Sequence, residues 1–216
     1  MIEAAAKWDK YHASGHPPWE SGRPVSHFLS ALSSGAMPAT GTALEVGCGN
    51  GVSTLALCAH GQYTRVFGVD ISEVAIQRAV ASAAATELDH PGDVLRFVTA
   101  DLLDPAQTAV WSGQCTAVFD CQFFHAVRAV VAPDDVAKVM ANLLAPHVGR
   151  LFVLAGNASE PARVVPGPTL LTRDEVVGSF ERAGLVLVSL ETTRFDSTPA
   201  YGEVPPLAWA AVFAKL

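Results

Sequence analysis

Apolar residues in this chain come in short runs separated by stretches of helical spacing, and the alternation persists along most of its length. The strand-like runs are Ala43, Leu44 and Val46; Val66-Phe67-Gly68-Val69; Arg96 to Ala100; Thr116 to Asp120; and Arg150 to Ala155. Between and after them, helices are predicted over Val52 to His60, over Ser72 to Leu88 ahead of His90-Pro91-Gly92, and over Pro133 to Leu144. Pro133 suits a first helical turn, and Asp134 and Asp135 suit the positive end of the helix dipole. Thr172 and Glu175 have the spacing of a capping box for a further helix reaching Ala183. Short strands alternating with helices predict a parallel sheet wrapped on both faces. The end of the chain breaks that rhythm. Leu185 to Glu191 and Ala208 to Phe213 both read as strands, joined by the proline-containing loop Thr192 to Pro206, and another Pro/Gly-rich loop spans Gly156 to Leu171. With no repeat, low-complexity tail or linker in view, the expectation is one α/β domain over residues 1–216.

The junction after the first strand reads Ala43-Leu44-Glu45-Val46-Gly47-Cys48-Gly49-Asn50-Gly51. Glycine is needed where backbone bends sharply and a ligand must lie against it, and a strand-to-helix junction aims free N–H groups at that ligand. A nucleotide-type binding turn is therefore predicted. The dinucleotide fingerprint G-x-G-x-x-G wants its third glycine where this chain has Val52, which argues against a nucleotide-cofactor oxidoreductase. Two later strands end on carboxylates, Asp70 and Asp101. A carboxylate at the tip of a second parallel strand can accept both hydroxyls of a ribose; its alternative role is to cap the next helix, for which Ser72 is better suited.

The pattern E-x-G-x-G-x-G, with Asp70 and Asp101 downstream, resembles the class I S-adenosylmethionine-dependent methyltransferases. That resemblance implies a Rossmann-like α/β sheet of seven strands in the order 3-2-1-4-5-7-6, the last antiparallel, and S-adenosyl-L-methionine as cofactor. It implies that Glu45 lies under the methionine end, that Gly47, Cys48 and Gly49 line the turn, that Asp70 and Ile71 serve the ribose, and that Asp101 and Leu102 read the adenine. The segments Trp8-Asp9-Lys10 and Pro18-Trp19-Glu20-Ser21-Gly22-Arg23-Pro24, with the tail Pro205-Pro206-Leu207-Ala208-Trp209, are similar to the thiopurine, thiol and halide methyltransferase group. By that likeness residues 1–34 form a cap, with Trp8 and Trp19 across the cofactor pocket; an aromatic face near a cation stabilises it. Alternatively, both tryptophans anchor an N-terminal helix to the core.

The acceptor side is expected after the fourth strand, in Asp120-Cys121-Gln122-Phe123-Phe124-His125. The group's pattern there is D-[SR]-G, so Cys121 and Gln122 depart from it. Asp120 is expected to support backbone near the methyl group and to touch the cofactor. His125 has the unperturbed pKa of a general base, and equally suits a helix-face histidine with a satisfied hydrogen bond; Cys121 suits a small buried thiol better than a thiolate nucleophile.

Charge and cysteine usage narrow the setting. A formal net charge of −7 over 216 residues repels a phosphate backbone, so nucleic acid is not an expected partner. No apolar run reaches membrane-spanning or signal-peptide length, and the four cysteines show neither zinc nor C-x-x-C spacing. The expectation is a cytoplasmic protein, monomer or homodimer, without metal or disulfide. Its reaction is expected to be direct in-line methyl transfer to a small-molecule acceptor, sulfur before oxygen or nitrogen, with a non-catalytic cofactor-binding module as the reading from another class.

Overall fold

The computed structural model describes residues 2–15, 17–86, 94–128, 130–161, 168–201 and 203–216. Seven strands form one sheet in the order β3-β2-β1-β4-β5-β7-β6. β1 (Thr40–Val46) lies centrally, parallel to β2 (Gln62–Asp70) on one side and β4 (Ala117–Cys121) on the other. β3 (Leu95–Thr99) and β5 (Arg150–Gly156) extend the parallel set. β7 (Leu207–Lys215) then enters antiparallel between β5 and β6 (Leu185–Arg194). The terminal strands can be neighbours because no helix separates them, whereas parallel neighbours need a crossover. The order and the antiparallel last strand are those expected.

Both faces of the sheet are covered, so central strands read as nearly continuous apolar runs. On one face Leu44, Val46, Val118 and Val153 pack with α7 (Pro133–Leu143). On the other, Ala43, Val66, Phe119 and Phe152 pack with α2 (Ser26–Ser33) and α3 (Val52–His60). Phe28 of α2 meets Phe119 and Phe152 with ring centroids 5.0 and 5.5 Å apart. Phe28 and Ala31 of α2 are thus buried in the core, while His12 of α1 (Ile2–Ala13) and Glu20 lie beside the glycine turn.

Several boundaries differ from the sequence expectation. α4 runs Glu73–Ala84 with Ser72 as its N-cap, its hydroxyl accepting from the Ala75 N–H; the further extent expected to Leu88 falls partly outside the described residues, and the stop expected at 90–92 lies wholly outside them. The Thr172–Glu175 capping box is formed. Behind it Asp174–Gly178 is wound as a π turn before α8 (Ser179–Arg182), and Val176, Val177 and Phe180 are all buried by this arrangement. Two short helices follow strands: α5 (Pro105–Thr108), capped by Asp104, which was not expected, and α6 (Phe123–Val127), which carries His125. Neither is long enough to display a helical period.

Candidate active site at the carboxyl ends of the strands

The turn after β1 is pinned to β2 by the Cys48 N–H, which donates to the Val69 carbonyl at 3.0 Å. Gly49 holds φ 55°, in the left-handed region that side chains disfavour. A Cβ there would point at His12 and Glu20, 3.5 and 3.7 Å away, into the gap between the turn and the N-terminal segment. Gly51 serves packing instead. A Cβ on it would lie 2.6 Å from Phe97 and 2.7 Å from Ala79, so its absence lets the turn settle against β3 and α4.

Parallel register brings the strand tips together: Val46 pairs with Val69 and with Asp120, one residue from Asp70 and from Glu45. Glu45 is buried on β1 and accepts from the Thr54 hydroxyl. Burial, reinforced by the nearby Asp70 and Asp120 charges, pushes its pKa up to about 8, against the Thr54 bond. Asp70 is buried too. Its two oxygens accept from the Gly49 N–H at 3.0 Å and the Ser72 N–H at 2.9 Å, so it braces the glycine turn while ending β2. Burial raises its pKa, and those two backbone donors oppose the rise. Asp120 accepts from the Phe123 and Phe124 N–H groups at 2.8 and 3.1 Å, capping α6; burial nevertheless pushes it up to about 7. Asp101 sits past β3 and accepts from the Leu103 N–H, with Leu102 buried beside it and the Asp101 N–H bound to Gln107. Ile71 lies between the bracing Asp70 and the Ser72 cap.

The N-terminal segment is fastened to this platform by polar contacts. Asp9 accepts from the Ser72 hydroxyl at 2.6 Å. Glu20 accepts from Arg78 of α4 and from Asn50 of the glycine turn, each at 3.0 Å, and lies 3.3 Å from the buried His12 ring. Trp8 and Trp19 stack edge-to-face at 5.6 Å, with Tyr11 5.1 Å from Trp19. Both tryptophans are half-buried, and the aromatic group adjoins the charged fastening through a His12–Trp19 contact at 6.0 Å. The fastening by Arg78 was not expected from the sequence; an arginine within an alanine-rich helix carries no local signal of its distant partner.

At the tip of β4 the groups have distinct roles. His125 is buried, its Nδ1 accepts from the Gly156 N–H at 3.1 Å, and desolvation lowers its pKa to about 3. With Nδ1 accepting, the neutral ring carries its proton on Nε2. Burial and the charges of Asp120, Glu45 and Asp196 push the Cys121 thiol well above its ordinary value. The β6–β7 loop closes over this region: Tyr201 donates to Gln122, Thr198 donates to the Pro18 carbonyl, and Asp196 accepts from Ser26. Two surface clefts of about 380 and 390 Å³ lie elsewhere and include none of Glu45, Asp70 and Asp120.

The 3-2-1-4-5-7-6 sheet, the glycine turn after β1 and the acidic residues near the ends of β1, β2 and β4 are the arrangement implied by the resemblance to class I S-adenosylmethionine-dependent methyltransferases. Residues 3–194 match the thiopurine S-methyltransferase family, and the chain belongs to that family. It is 29% identical over 149 residues to a probable thiol methyltransferase 2 of Arabidopsis thaliana, covering 68% of this chain and 60% of that protein. Likewise it is 29% identical over 147 residues to thiocyanate methyltransferase 1 of Brassica oleracea, again over 68% of this chain and 60% of the relative. The match thus spans less than two thirds of these curated relatives. Among solved structures, a SAM-dependent methyltransferase of Methanosarcina mazei has the same fold, with a TM-score of 0.71 at 15% identity over 86% of this chain and 97% of that one. Among the described residues no helix is long and apolar enough to cross a membrane.

Proposed function

We propose that this chain transfers the methyl group of S-adenosyl-L-methionine to a small-molecule nucleophile, with a thiol as the preferred acceptor. The observation that carries this reading is the convergence of Glu45, Asp70 and the Gly49 turn beneath the Trp8–Trp19 segment. The residues fit the cofactor: a buried carboxylate with no cationic partner in its hydrogen bonds suits the amino group of the methionine end, and Asp70 has lone pairs left for the ribose hydroxyls. Asp101 and Leu102 would hold the adenine. When bound, the cofactor supplies a methyl group already activated by its sulfonium. The protein's residues then align the acceptor, exclude water and offer aromatic faces beside the positive charge. Relatives named for thiol and thiocyanate methylation support sulfur as acceptor. In this reading the whole chain is one methyltransferase domain, and its stretch up to Glu20 covers the cofactor; oxygen and nitrogen acceptors are the runners-up.

Methyl transfer from radiolabelled S-adenosylmethionine to a panel of small thiols, alcohols and amines tests the proposal. Labelled methyl sulfide is the expected product. Tight cofactor binding without turnover on any panel member would favour the non-catalytic binding module.

A further inference from the structure

Arg65 and Phe67 alternate along β2 onto one face of the sheet, and parallel register sets Arg96 of β3 directly beside Phe67, with Val98 two residues further on. At the centre of the sheet α7 packs over that face, but at the β2–β3 margin the cover is thin. The connection from β3 to β4 holds only the four-residue α5 and the 3₁₀ turn Ala109–Trp111, too short to lay a helix along both strands. What remains is a cleft of about 390 Å³. Half-buried Phe67 and Val98 line it together with Trp111, whose ring meets Phe67 edge-to-face at 5.8 Å, and with Val110, which is 72% exposed.

The charge of the cleft has one sign. Arg65 and Arg96 both line it, and among the described residues no carboxylate does. Arg78, Arg128 and Arg182 form ion pairs, whereas Arg65 and Arg96 have neither a carboxylate partner nor a hydrogen bond among the described residues. The Arg65 charge also reaches inward: burial raises the pKa of the Cys115 thiol, and Arg65 opposes that rise. The chain carries 21 acidic residues against 14 lysines and arginines, yet none of the described ones neutralises this pair, and like charges on neighbouring strands repel. The Gln107 side chain beside them is committed to its own loop, its carbonyl holding the Asp101 N–H at 3.0 Å and its amide donating to Asp104 at 2.8 Å.

We propose that this cleft is a second binding site, for a small aromatic carboxylate whose ring lies against Phe67 and Val98 and whose carboxylate takes Arg65 and Arg96. A planar guanidinium matches a carboxylate through two parallel N–H···O bonds, and a largely apolar cleft of this size with a few polar groups is the usual form of a small-ligand site. A neutral ligand would leave the two cations uncompensated, and a bare inorganic anion would leave the apolar lining wet. The cleft contains none of Glu45, Asp70 and Asp120, so the proposal does not depend on methyl transfer.

Calorimetry on the full chain, with and without saturating S-adenosylhomocysteine, tests it with 2-naphthoate, the neutral 2-naphthalenemethanol, and acetate. 2-Naphthoate should bind in both conditions, about twentyfold more tightly than either of the others. Arg65→Gln and Arg96→Gln should each weaken it about fivefold, and the double variant should erase the preference over the alcohol. Melting temperatures should hold, because both arginines are exposed. Val110→Glu, at an exposed position of the cleft, sets a like charge beside the bound carboxylate and should also weaken binding with the fold intact. Absence of 2-naphthoate binding to the wild type, unchanged affinity in the double arginine variant, or equal affinity for acetate overturns the proposal. Tighter binding of a hexaglutamate peptide than of 2-naphthoate would make the cleft a docking surface for an acidic protein segment and overturn the small-ligand assignment. Failure of the methyl-transfer reading would leave all these affinities untouched.

Discussion

The Asn50 side-chain amide donates to the Glu20 carboxylate at 3.0 Å, joining the middle of the glycine turn to a residue thirty positions earlier. The same carboxylate takes Arg78 at 3.0 Å and stands 3.3 Å from the His12 ring, so one side chain ties the N-terminal segment to both the turn and α4. The N-terminal segment and the glycine turn are therefore mechanically coupled.

That coupling predicts the behaviour of Glu20→Ala. Charge-assisted hydrogen bonds contribute about 1.5–3 kcal/mol, less where water screens them, and Arg78 is partly exposed. Stability should fall by about 1 kcal/mol, while proteolysis near Ser14-Gly15 or Ser21-Gly22 accelerates in the free protein. Saturating S-adenosylhomocysteine should suppress the cut in the wild type. Equal cleavage with and without ligand would reduce the segment to a structural strap.

Asp70 both braces Gly49 and faces the expected ribose, so its removal acts twice. Asp70→Ala should weaken S-adenosylhomocysteine binding by about 1.5–3 kcal/mol, the range for hydrogen bonds to a charged acceptor, and should also lower the melting temperature. Gly49→Val should abolish binding, since a branched side chain enters the gap and φ 55° is strained for it. Asp101→Ala should lose more affinity than Asp101→Asn. Calorimetry on the four variants decides, and an Asp70→Ala protein with wild-type affinity would remove the ribose role.

Glu45 sets a pH dependence. With its pKa pushed up to about 8, the free protein at pH 7 holds it mainly protonated, whereas a cationic ligand group favours the carboxylate. Affinity for S-adenosylhomocysteine should rise from pH 6.5 to 8 with release of a proton, detectable as a buffer-dependent binding enthalpy. Stability of the free protein should move the other way. The folded state holds a proton that the unfolded chain, with a pKa of 4.5, has lost, so this stabilisation is complete below pH 4.5 and disappears as pH rises through 8. Asp120, at about 7, acts with the same sign. Near pH 6.5 the unfolded chain still half-protonates His125, which adds an opposing slope, so the expected signature is a melting temperature whose fall between pH 7.5 and 8.5 flattens in Glu45→Gln. A rising one would contradict the burial of this carboxylate.

His125 should be a positioning group. His125→Asn keeps an acceptor for the Gly156 N–H and should retain turnover within about tenfold, whereas loss of a general base costs about 10²–10⁴-fold. His125→Leu leaves that N–H unpaired and should cost about 1–3 kcal/mol of stability. A hundredfold loss in a well-folded His125→Asn protein would make the imidazole a base after all.

The strands and the glycine turn were legible because their signals are local. Val66-Phe67-Gly68-Val69 is apolar enough to be a buried strand wherever it lies, and Gly47, Gly49 and Gly51 announce a turn by composition alone. α2 was not legible, since Ser26–Ser33 is short and half serine or histidine, and its value lies in Phe28 reaching Phe119 and Phe152. The dual work of Asp70, holding the Gly49 N–H while closing β2, was equally hidden.

By itself the sequence determined the alternation of elements, the parallel character of most of the sheet and the identity of the acids at its strand tips, because hydrophobic period and turn chemistry act over a few residues. Only the tertiary structure decided which distant partners those acids and histidines meet. Glu20 finds Asn50 and Arg78, His125 finds the Gly156 N–H, and Gln122 finds Tyr201 across the β6–β7 loop. Each pairing depends on strand register and loop closure, and burial then moves the pKa values of Glu45, Asp120 and His125 away from those of the free side chains. Desolvation is a property of the packed molecule, so no stretch of sequence carries it in advance.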